Sequence, residues 1–235
     1  MCTGAWVALM LCLSGGVSVL HAEDKPAETA KAEEGFVTIL DEKTWKDWKV
    51  FPGDAKATVE EADTVKKFDK GNWSFKEGVL HSEGGVSHVF SPREDYENLH
   101  LRAEVKITDK GNSGMYFRVK KGNGFPKGYE AQVNSTHGDP KRTGSLYNFF
   151  DVKEMLVPPD TWFKYEVIAV GNHIIIKVND KVCCDYTDAK STFMKGAVAF
   201  QQHNQGSEVW VKNVQVKELP ASPAAPAPAP APTTK

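Results

Sequence analysis

Two stretches decide the fold: Gly111-Asn112-Ser113-Gly114-Met115-Tyr116-Phe117-Arg118 and Gly128-Tyr129-Glu130-Ala131-Gln132-Val133-Asn134. Both alternate with period two, the period of side chains along a β-strand. In the first, Met115, Phe117 and Val119 share one face and Tyr116 and Arg118 the other. In the second, Tyr129, Ala131 and Val133 oppose Glu130, Gln132 and Asn134. Each strand therefore has an apolar side and a side bearing aromatic, amide and charged groups. Plain surface strands carry Thr, Ser and Lys there. Tyr, Arg, Glu, Gln and Asn are groups that hold sugar hydroxyls.

The same periodicity runs outward from these stretches. Leu99 to Ile107 places Leu99, Leu101, Ala103, Val105 and Ile107 inside, with His100, Arg102, Glu104 and Lys106 outside as a solvated edge. Phe36–Leu40 reads as a short strand. Trp73-Ser74-Phe75 and Val79-Leu80-His81 flank a turn at Lys76-Glu77-Gly78. Phe163–Ala169 and His173–Val178 are joined by Val170-Gly171-Asn172, and Asn179-Asp180-Lys181 turns into Val182–Tyr186. Ala197–His203 and Val209–Val216 follow, and a slip of apolar parity near Asn213 predicts a bulge. Helix signals are poor, with Thr58–Lys67 reading as one short helix or a loop. About a dozen short strands with turn signals at this spacing predict an all-β, two-sheet antiparallel sandwich with one concave face.

The chain has 235 residues, room for one well-buried domain with appendages. Residues 1–22 read as an export signal: Ala5 to Leu20 is apolar, and Leu20-His21-Ala22 offers a cleavage site, although no Lys or Arg precedes the apolar stretch. Residues 23–34 are polar and Ala-rich, a flexible spacer, and residues 220–235 form a Pro/Ala-rich tail without core-forming side chains. The folded domain is thus expected at 35–219, in an exported protein, periplasmic or secreted. The net charge of −2 offers no field for nucleic acid, and nothing after residue 22 is apolar for long enough to span a bilayer. Cys2 and Cys12 leave with the signal. Cys183 and Cys184, adjacent in a strand, are expected to point to opposite faces, one buried and one outside.

The order of motifs resembles the 3-keto-disaccharide hydrolase domain family. The segments that carry the resemblance are Phe36-Val37-Thr38-Ile39-Leu40 with Trp45 and Trp48, Trp73 with Glu77-Gly78-Val79-Leu80, and Tyr96-Glu97-Asn98-Leu99. The two opening stretches follow, then Arg142-Thr143-Gly144-Ser145-Leu146-Tyr147, Trp162, Tyr165-Glu166, Gly196, Phe200-Gln201-Gln202-His203, and Val214 with Lys217-Glu218-Leu219. The chain departs from the family pattern at Asn179-Asp180 and Asn204-Gln205-Gly206, both in loops. The resemblance implies a concanavalin A-like jelly roll that cleaves sugars already oxidised to a ketone at C3. Such a ketone acidifies the C2 hydrogen. A base removes it, the C1 substituent leaves by elimination, and water adds back. The site needs a base, a hydrogen-bonding or positive group near the C3 oxygen, and an acid for the leaving group.

Glu130 is the first candidate for base or acid; its other reading is an ion pair with Arg118 across the strands. His203, sharing parity with Gln201, suits proton transfer or the plain orientation of a hydroxyl. Arg118, with Tyr116 on its face, could stabilise an enolate oxygen. Gln132, Gln201, Asn134 and Tyr116 are expected to bind substrate, with Arg142 and Tyr147 closing the groove. Trp45, Trp48, Trp73, Trp162 and Trp210 are assigned to the core. His81, His88, His100, His137 and His173 show no metal-ligand spacing. No cofactor is expected, although ligands for a divalent cation in a sandwich would come from distant strands. The partner implied is an oligosaccharide or glycoside. Two other functions stand beside this one: a binding-only lectin-like module, and a glucanase, which would need two carboxylates about 5–10 Å apart.

Overall fold

The computed structural model describes residues 35–221. The expected signal and spacer lie outside the described residues, as does the tail from residue 222 onward. The strands in chain order are β1 (Val37–Thr38), β2 (Lys49–Pro52), β3 (Glu60–Glu61), β4 (Val65–Phe68), β5 (Gly71–Lys76), β6 (Val79–Gly84), β7 (Ser87–Phe90) and β8 (Leu99–Ile107). They continue with β9 (Ser113–Lys120), β10 (Lys127–Val133), β11 (Phe163–Val170), β12 (His173–Val178), β13 (Lys181–Thr187), β14 (Ala197–Gln202) and β15 (Glu208–Glu218). One turn of 3-10 helix, Trp45–Asp47, precedes β2.

All the pairings are antiparallel, and the strands form two sheets. The ten-stranded sheet runs β13-β12-β11-β8-β15-β6-β5-β4-β3, with β1 added on β15; the five-stranded sheet runs β10-β9-β14-β7-β2. Leu99, Leu101, Ala103, Val105 and Ile107 of β8 point into the space between the sheets, as their alternation predicts. They meet Met115, Phe117, Tyr129, Ala131, Val133, Val198 and Phe200 from the smaller sheet. Each such aliphatic or aromatic side chain contributes about 1.5–3 kcal/mol by leaving water, so the two-layer arrangement is the stable solution for these patterns. Among the described residues no helix is long and apolar enough to cross a membrane.

Turn chemistry matches the sequence in several places. Glu77 and Gly78 both take positive φ between β5 and β6, as do Asn179 and Asp180 between β12 and β13. That is the primed turn geometry that suits strand twist. The bulge expected at Asn213 is present: the β15–β8 register shifts between Lys212 and Gln215, and Asn213 has φ 55°.

Three expectations are corrected. Residues 58–67 form the short pairing of β3 with β4, not a helix. Trp45, Trp48 and Trp73 are core, but Trp162 and Trp210 lie half-buried on the outer face of the large sheet. There they sandwich lysines: Lys106 Nζ stands 4.4 Å from the Trp210 ring and Lys212 Nζ 4.4 Å from the Trp162 ring. Cation–π contact substitutes for burial at these two positions. Cys183 is not outside. A register shift in the β12–β13 pair turns it inward beside buried Cys184, with its Sγ 3.2 Å from Ile176 O.

Candidate active site

The smaller sheet turns Met115, Phe117, Ala131 and Phe200 toward the core, so Tyr116, Glu130, Gln132 and Gln201 face away from the larger sheet. A cleft of about 570 Å³ opens over that face. Its floor is Tyr116, Glu130, Gln132, Gln201, Asn112 and His203; its apolar walls include Phe125, Pro126, Phe149 and Phe193; Tyr147 and Thr192 stand at its side. Five of the residues singled out in the sequence, with Tyr147, therefore meet in one hollow.

Glu130 lies across from Tyr116 in the β9–β10 register. The Tyr116 hydroxyl lies on the same face and favours the ionised form of its carboxylate. Gly114 makes room for it: a methyl group there would lie 2.4 Å from Glu130 Oε1. Burial pushes the Glu130 carboxyl up to about 8; the Tyr116 hydrogen bond pulls the other way, and the nearby Asp139 charge adds to the rise. The carboxyl is thus poised to take and return a proton near neutral pH.

Gln132, two residues along the same face, is fully buried, and neither its amide nitrogen nor its oxygen has a partner among the described residues. Gln201 Oε1, Asn112 Oδ1 and His203 Nδ1 are likewise buried and unpartnered. Buried polar groups are nearly always satisfied. A cluster of unpartnered donors and acceptors around one cleft is the imprint of a polar ligand.

His203 follows β14 and keeps the parity of Gln201. Burial pulls its imidazole below the usual histidine range; His137 acts in the same direction and Asp139 against it. The His137 ring stands edge-on to it, 5.6 Å between centroids. Tyr147 donates to Asp139 Oδ2 at 3.0 Å, which fixes its ring at the cleft side. The segment before it hydrogen-bonds along the free edge of β10: Gln132 N to Ser145 O at 3.0 Å, Gly144 N to Gln132 O at 3.2 Å and Tyr147 N to Glu130 O at 2.9 Å.

Three expected site residues do other work. Arg118 does not share a face with Tyr116 and makes no pair with Glu130. The β9–β14 register shifts between Tyr116 and Val119, and Arg118 takes φ 51°. This bulge carries Val119 round to the Tyr116 side and sends Arg118 elsewhere. Its Nε donates to Glu97 O at 2.7 Å and one Nη to Gly171 O at 2.6 Å and Phe193 O at 3.3 Å. Arg118 is a fully buried clamp on three loops, outside the cleft lining. Asn134 spends its whole amide on its own loop: Nδ2 donates to Asp139 O and Lys141 O, and Oδ1 accepts from His137 N and Arg142 Nη1. Arg142 also donates to His137 O at 2.6 Å and Asp139 O at 3.0 Å. Both shape residues 134–142 and so place Asp139 and His137; neither lines the cleft.

Sequence reasoning missed Asn112, Phe125 and Gly114, and it passed over His88. Phe125 had a visible signal, an aromatic in the Gly-rich run Lys121-Gly122-Asn123-Gly124-Phe125. Its ring is 64% exposed although it lines the cleft, an exposure that a packing residue would not accept. Among the described residues no group of three or more His, Cys, Asp or Glu is placed to hold a metal ion.

The profile of the 3-keto-alpha-glucoside-1,2-lyase-like domain family matches residues 35–217. A Bacteroides thetaiotaomicron protein named 3-keto-disaccharide hydrolase is 24% identical, over 89% of this chain and 87% of its own length. Among solved structures, a Parabacteroides distasonis protein provisionally classed as a glycosyl hydrolase superposes with a TM-score of 0.62 at 19% identity, covering 80% of this chain and 95% of that one. A Bacillus subtilis protein of galectin-like fold gives 0.57 at 12% identity, covering 78% and 94%. The structural likenesses establish the sandwich fold.

Proposed function

We propose that this chain, which belongs to the 3-keto-alpha-glucoside-1,2-lyase-like domain family, cleaves glycosides carrying a ketone at C3. Ionised Glu130 takes the C2 proton. The electron pair moves into an enolate whose charge rests on the C3 oxygen, and the C1–O bond breaks. The leaving oxygen receives a proton from a water that neutral His203 orders. Water then adds across the new double bond, with Glu130 returning the proton, so that the sum is hydrolysis. Arg118, shut away behind its bulge, takes no part; the unpartnered amide nitrogen of Gln132 is the donor available to the developing oxyanion.

One observation carries this reading: a carboxyl pushed up to about 8 stands beside a buried, unpartnered amide on the same strand face. A strong base beside an oxyanion donor is what removal of a proton next to a ketone requires. Glu130 is also the sole carboxylate among the cleft-lining residues, which disfavours a glucanase with two flanking acids. A binding-only module would use the same amides and the same Phe125 but has no need of the raised carboxyl.

The test is incubation of the domain with a 3-keto-glucoside and with its unoxidised parent, with and without chelator. Release of the leaving group from the keto sugar alone supports the proposal. Binding of both sugars without cleavage establishes the lectin-like alternative. We place the protein outside the cytoplasm on the strength of residues 1–22, and fractionation of the expressing cell tests that placement.

A further inference from the structure

A row of residues crosses the smaller sheet at the level of Gln132. Gln132 on β10 pairs with Gly114 on β9. Gln201 on β14 is level with Gly114, one residue on from the Phe200–Met115 pair, and it pairs with His88 on β7. The Glu130 carboxylate leans into this row. It fills the place that a Gly114 side chain would take, since a Cβ there would meet Glu130 Oε1 at 2.4 Å. The row therefore reads Gln132, the Glu130 carboxylate, Gln201, His88, on strands about 4.8 Å apart. Its two ends differ. Past Gln132, the free edge of β10 is lined by the segment that carries Tyr147 and Phe149. At the β7 end stands the Phe125 ring, with its centroid 6.3 Å from that of His88 and 5.9 Å from that of His203.

In a 3-keto sugar C1 and C3 flank C2, and their oxygens point to opposite sides of it. The proposed reaction sets the C2 hydrogen at the Glu130 carboxylate and the C3 oxygen on the Gln132 amide. The C1 oxygen then points the other way along the row, over Gln201 and toward His203, whose water protonates it as it leaves. Whatever C1 carries continues toward Phe125. That ring is 64% exposed, yet the arm that bears it is anchored: Asn123 Nδ2 donates to Pro52 O at 3.0 Å, on the far side of β7. Pro126 continues the cleft wall beside it. This end of the cleft offers a flat apolar face held in place over the sheet.

We propose that Phe125 forms a subsite for the leaving group and selects substrates by what C1 carries, not by the keto ring. This rests on the reading of Glu130 as the base and Gln132 as the donor to the C3 oxygen. The group that fits is an uncharged ring with a flat apolar face, either an aryl ring or the C–H face of a second sugar. Both can stack on a phenylalanine, whereas a methoxy group is too small to reach it. The buried, unpartnered polar atoms of Gln201 and His203 beside it would serve the hydroxyls of a second sugar, and an aryl ring would leave them unused.

The experiment measures kcat/KM of the wild type and of Phe125→Ala on three 3-keto-glucosides of one anomeric configuration, the methyl, phenyl and glucosyl compounds. The variant is compared with the wild type on the same substrate, so the differing chemistry of the leaving groups cancels. We expect the alanine to lose roughly threefold to tenfold more on at least one ring-bearing substrate than on the methyl glycoside. The substrate with the greater loss, phenyl or glucosyl, identifies the kind of group the subsite takes. Equal losses on all three overturn the proposal and set Phe125 against the keto ring; no loss on any of them overturns it as well. If the wild type cleaves none of the three, the function proposed above fails, and the same comparison of dissociation constants by calorimetry decides the subsite, with equal weakening on all three again counting against it. A wild type that binds none of them overturns both.

Discussion

Gly114, paired with Gln132 across β9 and β10, lies so close to the neighbouring Glu130 side chain that the glycine has room for no side chain of its own: its added Cβ would meet Glu130 Oε1 at 2.4 Å and the Glu130 Cγ at 2.8 Å. The position of the proposed base is thus set by what its neighbour lacks.

Gly114→Ala should therefore push the carboxylate off Tyr116. A displacement near 1 Å at a reacting group costs about 10²-fold, while overpacking costs about 1–3 kcal/mol. The expected variant is folded, several degrees less stable by calorimetry, and at least ten times slower on a 3-keto-glucoside. An alanine variant with wild-type turnover would show that Glu130 needs no such exact seat.

Glu130→Gln should abolish cleavage and change the pH dependence of stability. The native carboxyl is raised, so between the unfolded value near 4.5 and about 8 the folded state holds the extra proton. Stability from this group is full below the lower value and is lost as pH rises through the upper. The glutamine variant should gain on the wild type in melting temperature between pH 6 and pH 9, and the gap should close toward pH 4. Wild-type kcat/KM should climb with pH and level off above about 8.

Arg118→Met should damage the fold and spare the chemistry. It removes three charge-assisted bonds to backbone carbonyls, each worth about 1.5–3 kcal/mol. A melting temperature lowered by 5 °C or more, with kcat for the folded fraction within threefold of wild type, is the expected pair of results. A hundredfold fall in kcat with an unchanged melting temperature would return Arg118 to the reaction.

Phe125→Ala should do the reverse. The ring is mostly exposed, so the melting temperature should stay within a degree. If a sugar face on this ring is worth as much as an aromatic pair, about 0.5–1.5 kcal/mol, the expected rise in KM is roughly threefold to tenfold with kcat held. Phe125→Trp should match or better the wild type.

These cases show what was legible in the chain. Leu99–Ile107, the turn glycines and the Asn213 bulge follow from local periodicity, and so do Glu130, Gln132 and Gln201, whose strands run unbroken through those positions. Arg118 was misread because the bulge before Val119 adds one residue, and one residue reverses a face. A sign of it sits far along the chain: a Cβ on Gly196 would lie 2.4 Å from the Arg118 carbonyl carbon. His88 was passed over because its contact with Gln201 depends on the β7–β14 register, set by residues over a hundred positions apart. Trp162 and Trp210 were placed in the core because composition cannot tell a buried ring from one roofed by lysines.

The hydrogen bonds from Ser145, Gly144 and Tyr147 to β10 reach beyond the cleft. By sheet order β10 is a terminal strand, and a bare terminal strand invites a second molecule to add its own. Here the chain's own backbone occupies that margin from Glu130 to Gln132. That stretch of the strand bearing the proposed base is thereby closed to pairing by another chain, which leaves the cleft face as its open side.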